Sequence, residues 1–257
     1  MNSLRHILRN DQCAIGSWIN TVSPVAAELM SAAGFDFLTV DAEHSAVDVA
    51  GAQSLFQAIR SGNPDCAPLV RLPGIDHDVI RRFVDAGATG VIAPLVNSPE
   101  QARGVIRAVK YPPEGDRGVG FCRANMYGMD FDRATAAAND ETFVCVQIEH
   151  IKAVENIDEI LSVPGLDAVF VGPYDLTASM GVTAQFEHSD VQEAMQRILG
   201  ACQENGIVAG IHAVQPDVAE VLRRIEEGYR FIAFSLDIVM LQRACVDGLA
   251  EIRRRIS

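Results

Sequence analysis

The chain alternates two hydrophobic periods, and it does so eight times. Short apolar runs of strand type stand at 14–19 (AIGSWI), 35–40 (FDFLTV), 67–72 (APLVRL), 90–96 (GVIAPLV), 142–148 (TFVCVQI), 167–172 (DAVFVG), 207–214 (IVAGIHAV) and 230–236 (RFIAFSL). Between them lie segments of helical spacing, several opening on Ser or Asp and most closing on Gly, the residues that start and stop helices. Ser23-Pro24 and Ser98-Pro99 put proline in a first turn, where its missing N–H costs nothing. Strands apolar on both faces and separated by helices are parallel and covered on each side. Eight such units predict an α/β fold, a closed (β/α)8 barrel rather than a doubly wound sheet. No Gly-x-Gly-x-x-Gly follows the first run, which further weakens a dinucleotide-binding sheet. The expectation is one barrel domain over 1–257, with no internal repeat and no low-complexity tract. The segment 111–141 has no apolar period and is too long for an idle connection, so it reads as a lid or binding loop.

Composition narrows the function. The chain is 49% hydrophobic and 21% charged, with a formal net charge of −13. That charge argues against a nucleic-acid partner, which needs a basic footprint, and leaves a small molecule held by locally focused cations. No uncharged apolar stretch reaches about 18 residues, so no membrane span is expected. The start, MNSLRHILRNDQ, lacks the apolar core of a signal peptide. The six cysteines show no Cys-x-x-Cys and no regular spacing, which predicts free thiols and a cytoplasmic location.

Barrels of this type gather their chemistry at the C-terminal ends of the strands. Those ends carry Asn20; Asp41, Glu43 and His44; Arg71; Gln147, Glu149 and His150; Gly172, Pro173 and Asp175; His212; and Asp237. Alternation puts Gln147 and Glu149 on one face, and a lone inward carboxylate is costly without a partner. Glu149 either pairs with Arg71 or binds a metal or substrate. Arg71 suits a carboxylate or enolate oxygen, or is simply half of an ion pair. In VFVGPYDLTASMG (169–181) a buried strand meets Gly172-Pro173, where backbone N–H groups can receive a ligand carboxylate. Asp175 is equally a ligand or a first-turn helix acid. Together, Glu149 and Asp175 make a hard two-carboxylate site of the kind that holds Mg²⁺ or Mn²⁺. Without His-x-His, His-Glu-x-x-His or paired Cys, zinc fits less well. The chain's two lysines, Lys110 and Lys152, sit outside apolar strand ends, which disfavours Schiff-base chemistry.

The motifs GFDFLTVDAEHS, PLVRLP, YPPEGDRGVG, VQIE and VFVGPYDLTASMG resemble the HpcH/HpaI family of metal-dependent class II pyruvate aldolases, in order and over nearly the whole chain. The resemblance implies a phosphoenolpyruvate/pyruvate-type barrel, assembled as a hexamer (a trimer of dimers) with the C-terminal helix exchanged between subunits. It implies Glu149 and Asp175 as ligands of Mg²⁺ or Mn²⁺, with Co²⁺ also accepted. It implies His44 as the residue of the catalytic base, Asp85 as the acid paired with it, and Arg71 facing the pyruvate oxygens with Gln147 beside it. The backbone at Gly172 and Pro173 is implied to receive the pyruvate carboxylate. The expected reaction is reversible cleavage of a 4-hydroxy-2-oxo acid, of sugar-acid or dicarboxylic type, to pyruvate and an aldehyde. The Lewis-acidic metal stabilises the enolate, Arg71 adds positive charge, and His44 moves the 4-hydroxyl proton. Oxaloacetate decarboxylation and citrate-synthase-like or acyl-CoA-lyase chemistry use the same enolate site. A non-catalytic organic-acid-binding barrel is the reading of another class. RANMYG (123–128) resembles the loop of 2-dehydro-3-deoxyglucarate aldolases, so Arg123 either meets a distal carboxylate or, the commoner fate, is an exposed loop arginine. His212, in GIHAV, stands where the family has an aliphatic residue, and either tunes the pocket or is a hydrogen-bonded rim histidine. Asp41 and Glu43 are expected to position the turn, and Trp18 to be core or pocket wall.

Overall fold

A computed structural model of the chain describes residues 4–256. Its eight strands are parallel and close into one barrel in chain order. They are β1 (Ala14–Ile19), β2 (Phe37–Asp41), β3 (Ala67–Arg71), β4 (Gly90–Ala93), β5 (Phe143–Ile148), β6 (Ala168–Val171), β7 (Val208–Ala213) and β8 (Phe231–Leu236). Before β5 come α1 (Leu4–Arg9), α2 (Pro24–Ala32), α3 (Val49–Gly62), α4 (His77–Asp85), α5 (Pro99–Val109) and α6 (Phe131–Glu141). After it come α7 (Ile151–Glu155), α8 (Ile157–Leu161), α9 (Pro173–Ser179), α10 (Ser189–Asn205), α11 (Val218–Glu227) and α12 (Asp237–Ile256). The expected (β/α)8 barrel is the observed one, and each apolar run overlaps its strand. The punctuation also works as read: Ser23, Asp48 and Ser98 cap α2, α3 and α5 through their side chains, while Gly206 and Gly228 end α10 and α11 in the left-handed conformation.

The segment 111–141 departs from its irregular reading. It holds a short 3-10 turn over Arg123–Gly128 and then α6. No residue of α6 is buried, so it lacks the apolar stripe by which a helix announces itself.

Two cores flank the barrel wall. The outer one lies between strands and helices. The inner one fills the barrel with Phe37, Phe143, Phe170 and Phe231, whose rings pack at 4.4 to 5.5 Å between centroids. Glycines make room for them. A Cβ on Gly16 would stand 2.4 Å from the Phe37 ring, and one on Gly210 would meet Phe231 and Phe170 at 2.7 and 2.8 Å. Below this layer α1 closes the N-terminal end with Leu4 and Leu8, both buried. Arg5 fastens that plug, gripping both oxygens of Asp167 at 2.6 Å. With one end of the barrel shut and filled, its interior opens at the other. All six cysteines are free, and Cys145 and Cys202 are buried as small apolar residues. Among the described residues no helix is long and apolar enough to cross a membrane.

Candidate active site

Alternation along the strands carries Trp18, Asp41, Arg71, Gln147 and His212 up the inner wall to the open rim. They line a cavity of about 210 Å³ together with Asn20, His44, Phe170, Gly172, Pro173, Tyr174, Asp175 and Leu236.

Asp41 organises one side. Its Oδ1 accepts from Arg71 Nε at 2.9 Å and its Oδ2 from Arg71 Nη2 at 2.7 Å, a forked, charge-assisted pair. Oδ1 also accepts from the N–H groups of Glu43 and His44, and Oδ2 from Asn20 Nδ2 at 2.8 Å. Burial pushes the Asp41 carboxyl up, but the hydrogen bonds and charge of Arg71 outweigh it and hold the group below the usual carboxylate range. Asp41 thus positions the turn that presents His44, as its place in the sequence suggested. The His44 ring is 63% exposed, with Nε2 3.9 Å from Glu43 Oε2. Arg71 keeps its Nη1 edge toward Glu43, 3.2 Å away, and lies over Trp18 at 4.2 Å from the ring centre. The ion pair read as one possibility for Arg71 therefore exists, but with Asp41 and Glu43 rather than Glu149.

Glu149 is left without a cation. It is buried; Oε1 accepts from the Leu95 N–H at 2.7 Å and Oε2 from Gln147 Nε2 at 2.5 Å. Leu95 delivers that N–H from a left-handed backbone, φ 54°, a conformation that costs a branched residue about 1 kcal/mol or more. Gly172 is the other concession, since a Cβ there would lie 2.8 Å from Glu149 Oε2. Burial raises the Glu149 carboxyl to about 7; the carboxylates of Glu43 and Asp175 add to the rise, and the Leu95 N–H and the charge of Arg71 oppose it. Glu43 is itself raised, first by burial and in part by Asp41 and Asp175. Gln147 Oε1 is sealed from solvent without a hydrogen-bond partner among the described residues, while Glu43 Oε2 has only its ion pair with Arg71 Nη1. A buried carboxyl raised in part by two neighbouring acids, beside an amide oxygen lacking a donor, fits a divalent cation. Among the described residues no three His, Cys, Asp or Glu side chains converge as a metal cage. Glu149 and Asp175 are the carboxylates that could hold such an ion, whose remaining positions water and ligand oxygens would fill.

A profile of the HpcH/HpaI aldolase/citrate lyase family matches residues 14–244. The chain belongs to that family. It is 37% identical to a hydroxypyruvate/pyruvate aldolase of Paraburkholderia phytofirmans, with 98% of each chain covered. It is 35% identical to a 5-keto-4-deoxy-D-glucarate aldolase of Escherichia coli, over 95% of this chain and 93% of that one. The crystal structure of an HpcH/HpaI aldolase/citrate lyase family protein from Burkholderia cenocepacia superposes with a TM-score of 0.93 at 36% identity, covering 98% of this chain and all of that one. Such relatives along the full length make this HpcH/HpaI protein an enzyme of the carbon–carbon lyase class.

Two expectations need correction for the HpcH/HpaI site within one chain. Asp85 is not beside His44. It ends α4 just before β4 begins, at the shut end of the barrel, whereas His44 follows the C-terminal end of β2. Its partner is Arg117, buried, at 2.7 Å. Arg123 also sits at the shut end, where its Nη1 occupies the space a Cβ on Gly87 would take, and it lines a separate cavity of about 440 Å³ with Arg60 and Arg117. Gly172 needs qualification: its N–H bonds Ile148 O at 3.1 Å, so the amides free for a carboxylate are the first-turn ones of Tyr174 and Asp175. Neither lysine lines the mouth cavity. Sequence alone marks Asn20 and Glu43 only as polar residues at strand ends, and nothing in it signals the Leu95 amide or the coupling of Glu43 to the other acids.

Proposed function

We propose that this HpcH/HpaI enzyme is a class II aldolase that reversibly cleaves a 4-hydroxy-2-oxo acid to pyruvate and an aldehyde with a divalent ion, Mg²⁺ or Mn²⁺, on Glu149 and Asp175. The observation that carries this reading is the buried Glu149, without an ion pair among the described residues and raised to about 7 beside two further acids, because a buried carboxylate of that kind is normally paired or bound to metal. When bound, the ion supplies Lewis-acid polarisation of the substrate's 2-oxo group. The protein's own groups do the rest. The Tyr174 and Asp175 amides receive the substrate carboxylate, and the Nη1 edge of Arg71 faces the oxygen on which negative charge develops. His44 takes the proton from the 4-hydroxyl as the C3–C4 bond breaks. The electron pair moves toward the 2-oxo oxygen, the aldehyde leaves, and a proton returns to C3. Asp41 holds Arg71 and the His44 turn in register through the whole cycle. The names of the relatives, which act on hydroxypyruvate, pyruvate and keto-deoxy sugar acids, support a hydroxylated 2-oxo acid as substrate.

The oligomer belongs to the same reading. Helix α12 buries only Asp237 and exposes Leu241, Val246, Leu249, Ile252 and Ile256. An apolar stripe of that extent is characteristic of an assembly surface and supports exchange of α12 between subunits of a hexamer. An Asp85 partner for His44 has to come from another copy. Pyruvate release from 4-hydroxy-2-oxo acids, coupled to a dehydrogenase, tests the function. The expected result is turnover abolished by EDTA and restored by Mn²⁺ or Mg²⁺; EDTA-insensitive turnover would contradict it.

A further inference from the structure

One wall of the mouth carries a neutral hydrogen-bond acceptor that the reaction above does not use. His212 stands on β7, its ring stacked on Trp18 at 5.0 Å and 16°. Its Nε2 lies 2.9 Å from the carbonyl oxygen of Ser235. A carbonyl only accepts, so Nε2 carries the proton and Nδ1 carries the lone pair. That carbonyl is itself fixed, because Ser235 has a left-handed backbone, φ 53°, and the Ser17 hydroxyl also donates to it at 3.0 Å. Burial lowers the His212 pKa to about 4; the Ser235 carbonyl opposes the shift, and the Arg71 charge adds to it. The ring is therefore neutral throughout the physiological range.

Nδ1 has no hydrogen-bond partner among the described residues, yet it is not among the atoms sealed from solvent, and the ring lines the cavity. Asn20 Oδ1 and Trp18 Nε1, in the same wall, also lack partners but are sealed, so of these three atoms His212 Nδ1 is the one open to a ligand. Its chemistry discriminates. A carboxylate or carbonyl oxygen would face it lone pair to lone pair. A methyl group would take away its water and leave the acceptor unpaired. A hydroxyl donates to it.

We infer that His212 Nδ1 selects a substrate with a hydroxyl on the carbon that lies against the Trp18–His212 wall. This rests on the aldolase reading and specifies its substrate class. The hydroxyl belongs either to the 2-oxo acid, as in a 3-hydroxylated donor, or to the aldehyde, as in a 2-hydroxyaldehyde.

Two substrate pairs separate these sources in the metal-loaded enzyme: hydroxypyruvate against pyruvate with a common aldehyde, and glycolaldehyde against acetaldehyde with pyruvate. His212→Phe keeps a ring on Trp18 and removes the acceptor, and comparing variant with wild type cancels intrinsic reactivity. The hydroxylated-to-deoxy ratio of kcat/KM should fall about tenfold in one pair and stay constant in the other. His212→Gln, which retains an acceptor, should recover part of it. A ratio unchanged in both pairs overturns the inference while leaving the aldolase reading intact. No aldol cleavage or addition with any substrate overturns the aldolase reading and the inference with it. Should His212→Phe not fold, the wild-type protein loaded with Mg²⁺ gives the same answer. Its ¹⁵N Nδ1 resonance should shift on binding the hydroxylated member of one pair and not its deoxy analogue, and equal responses within both pairs overturn the inference.

Discussion

The two ends of this barrel are built from the same strands, a few residues apart, and they treat polar groups in opposite ways. At the N-terminal end Leu4 and Leu8 cap a layer of four phenylalanines, and the charged groups Arg5 and Asp167 hold each other. At the C-terminal end, among the described residues, Glu149 makes no ion pair, Gln147 Oε1 has no donor, and Leu95 and Ser235 hold left-handed backbones. An unpaired polar atom and left-handed residues also occur at the shut end, at Thr135, Met126 and Tyr127, but among the described residues they surround no buried carboxylate lacking an ion pair. On the proposed function, the deficits at the open rim are the mark of a ligand and its ion, with stability and function carried by different ends.

Substitutions at the two ends should separate those properties. The largest effect is expected at Glu149. Glu149→Gln keeps the shape and the Leu95 contact but removes the charge, and should lower kcat/KM by about 10³-fold or more while raising the melting temperature of the metal-free protein. A melting temperature that falls instead would mean the open rim is already satisfied. At the shut end Phe231→Ala should cost about 3–5 kcal/mol in denaturant unfolding, with kcat per folded enzyme unchanged. Loss of catalysis out of proportion to loss of fold would break the division between the ends.

A smaller effect lies in the pH dependence of stability. Glu149 has a folded pKa raised to about 7, so its contribution is full below its ordinary value near 4.5 and is lost as pH rises toward 7. His212 has a folded pKa lowered to about 4, so its contribution is full above its ordinary value near 6.5 and is lost as pH falls toward 4. Each spans up to about 3 kcal/mol, and between roughly pH 4.5 and 6.5 they oppose. Metal-free wild type should therefore show a shallow profile. Glu149→Gln should leave stability rising with pH and His212→Phe should leave it falling, as chemical denaturation across that window would show. The smallest expected change is at Leu95, where Leu95→Gly relieves the left-handed strain and should shift stability by no more than about 1 kcal/mol, upward.

The sequence made the eight strands legible because each is a short apolar run bounded by turn residues, and it made the rim legible because polar residues cluster where those runs end. Alternation alone put Gln147 and Glu149 inside the barrel. What it left unread depends on neighbours distant along the chain. The partner of Arg71 could be named only once Asp41 and Arg71 were known to stand in register on adjacent strands. Asp85 looked like a partner for His44, but the direction of α4 carries it to the far rim and to Arg117. Helix α6 buries nothing and so left no period to read. The Leu95 amide, which fixes Glu149, is a backbone conformation with no residue type to announce it.

Titration of the metal-free protein with Mn²⁺, followed calorimetrically in wild type and in Glu149→Gln, tests most directly whether the open rim is completed by a cation. One site per chain is expected in wild type, with an affinity that strengthens as pH rises toward about 7 because the ion competes with the Glu149 proton, and with binding lost in the variant. Equal Mn²⁺ affinity in the two proteins, independent of pH, would contradict the account.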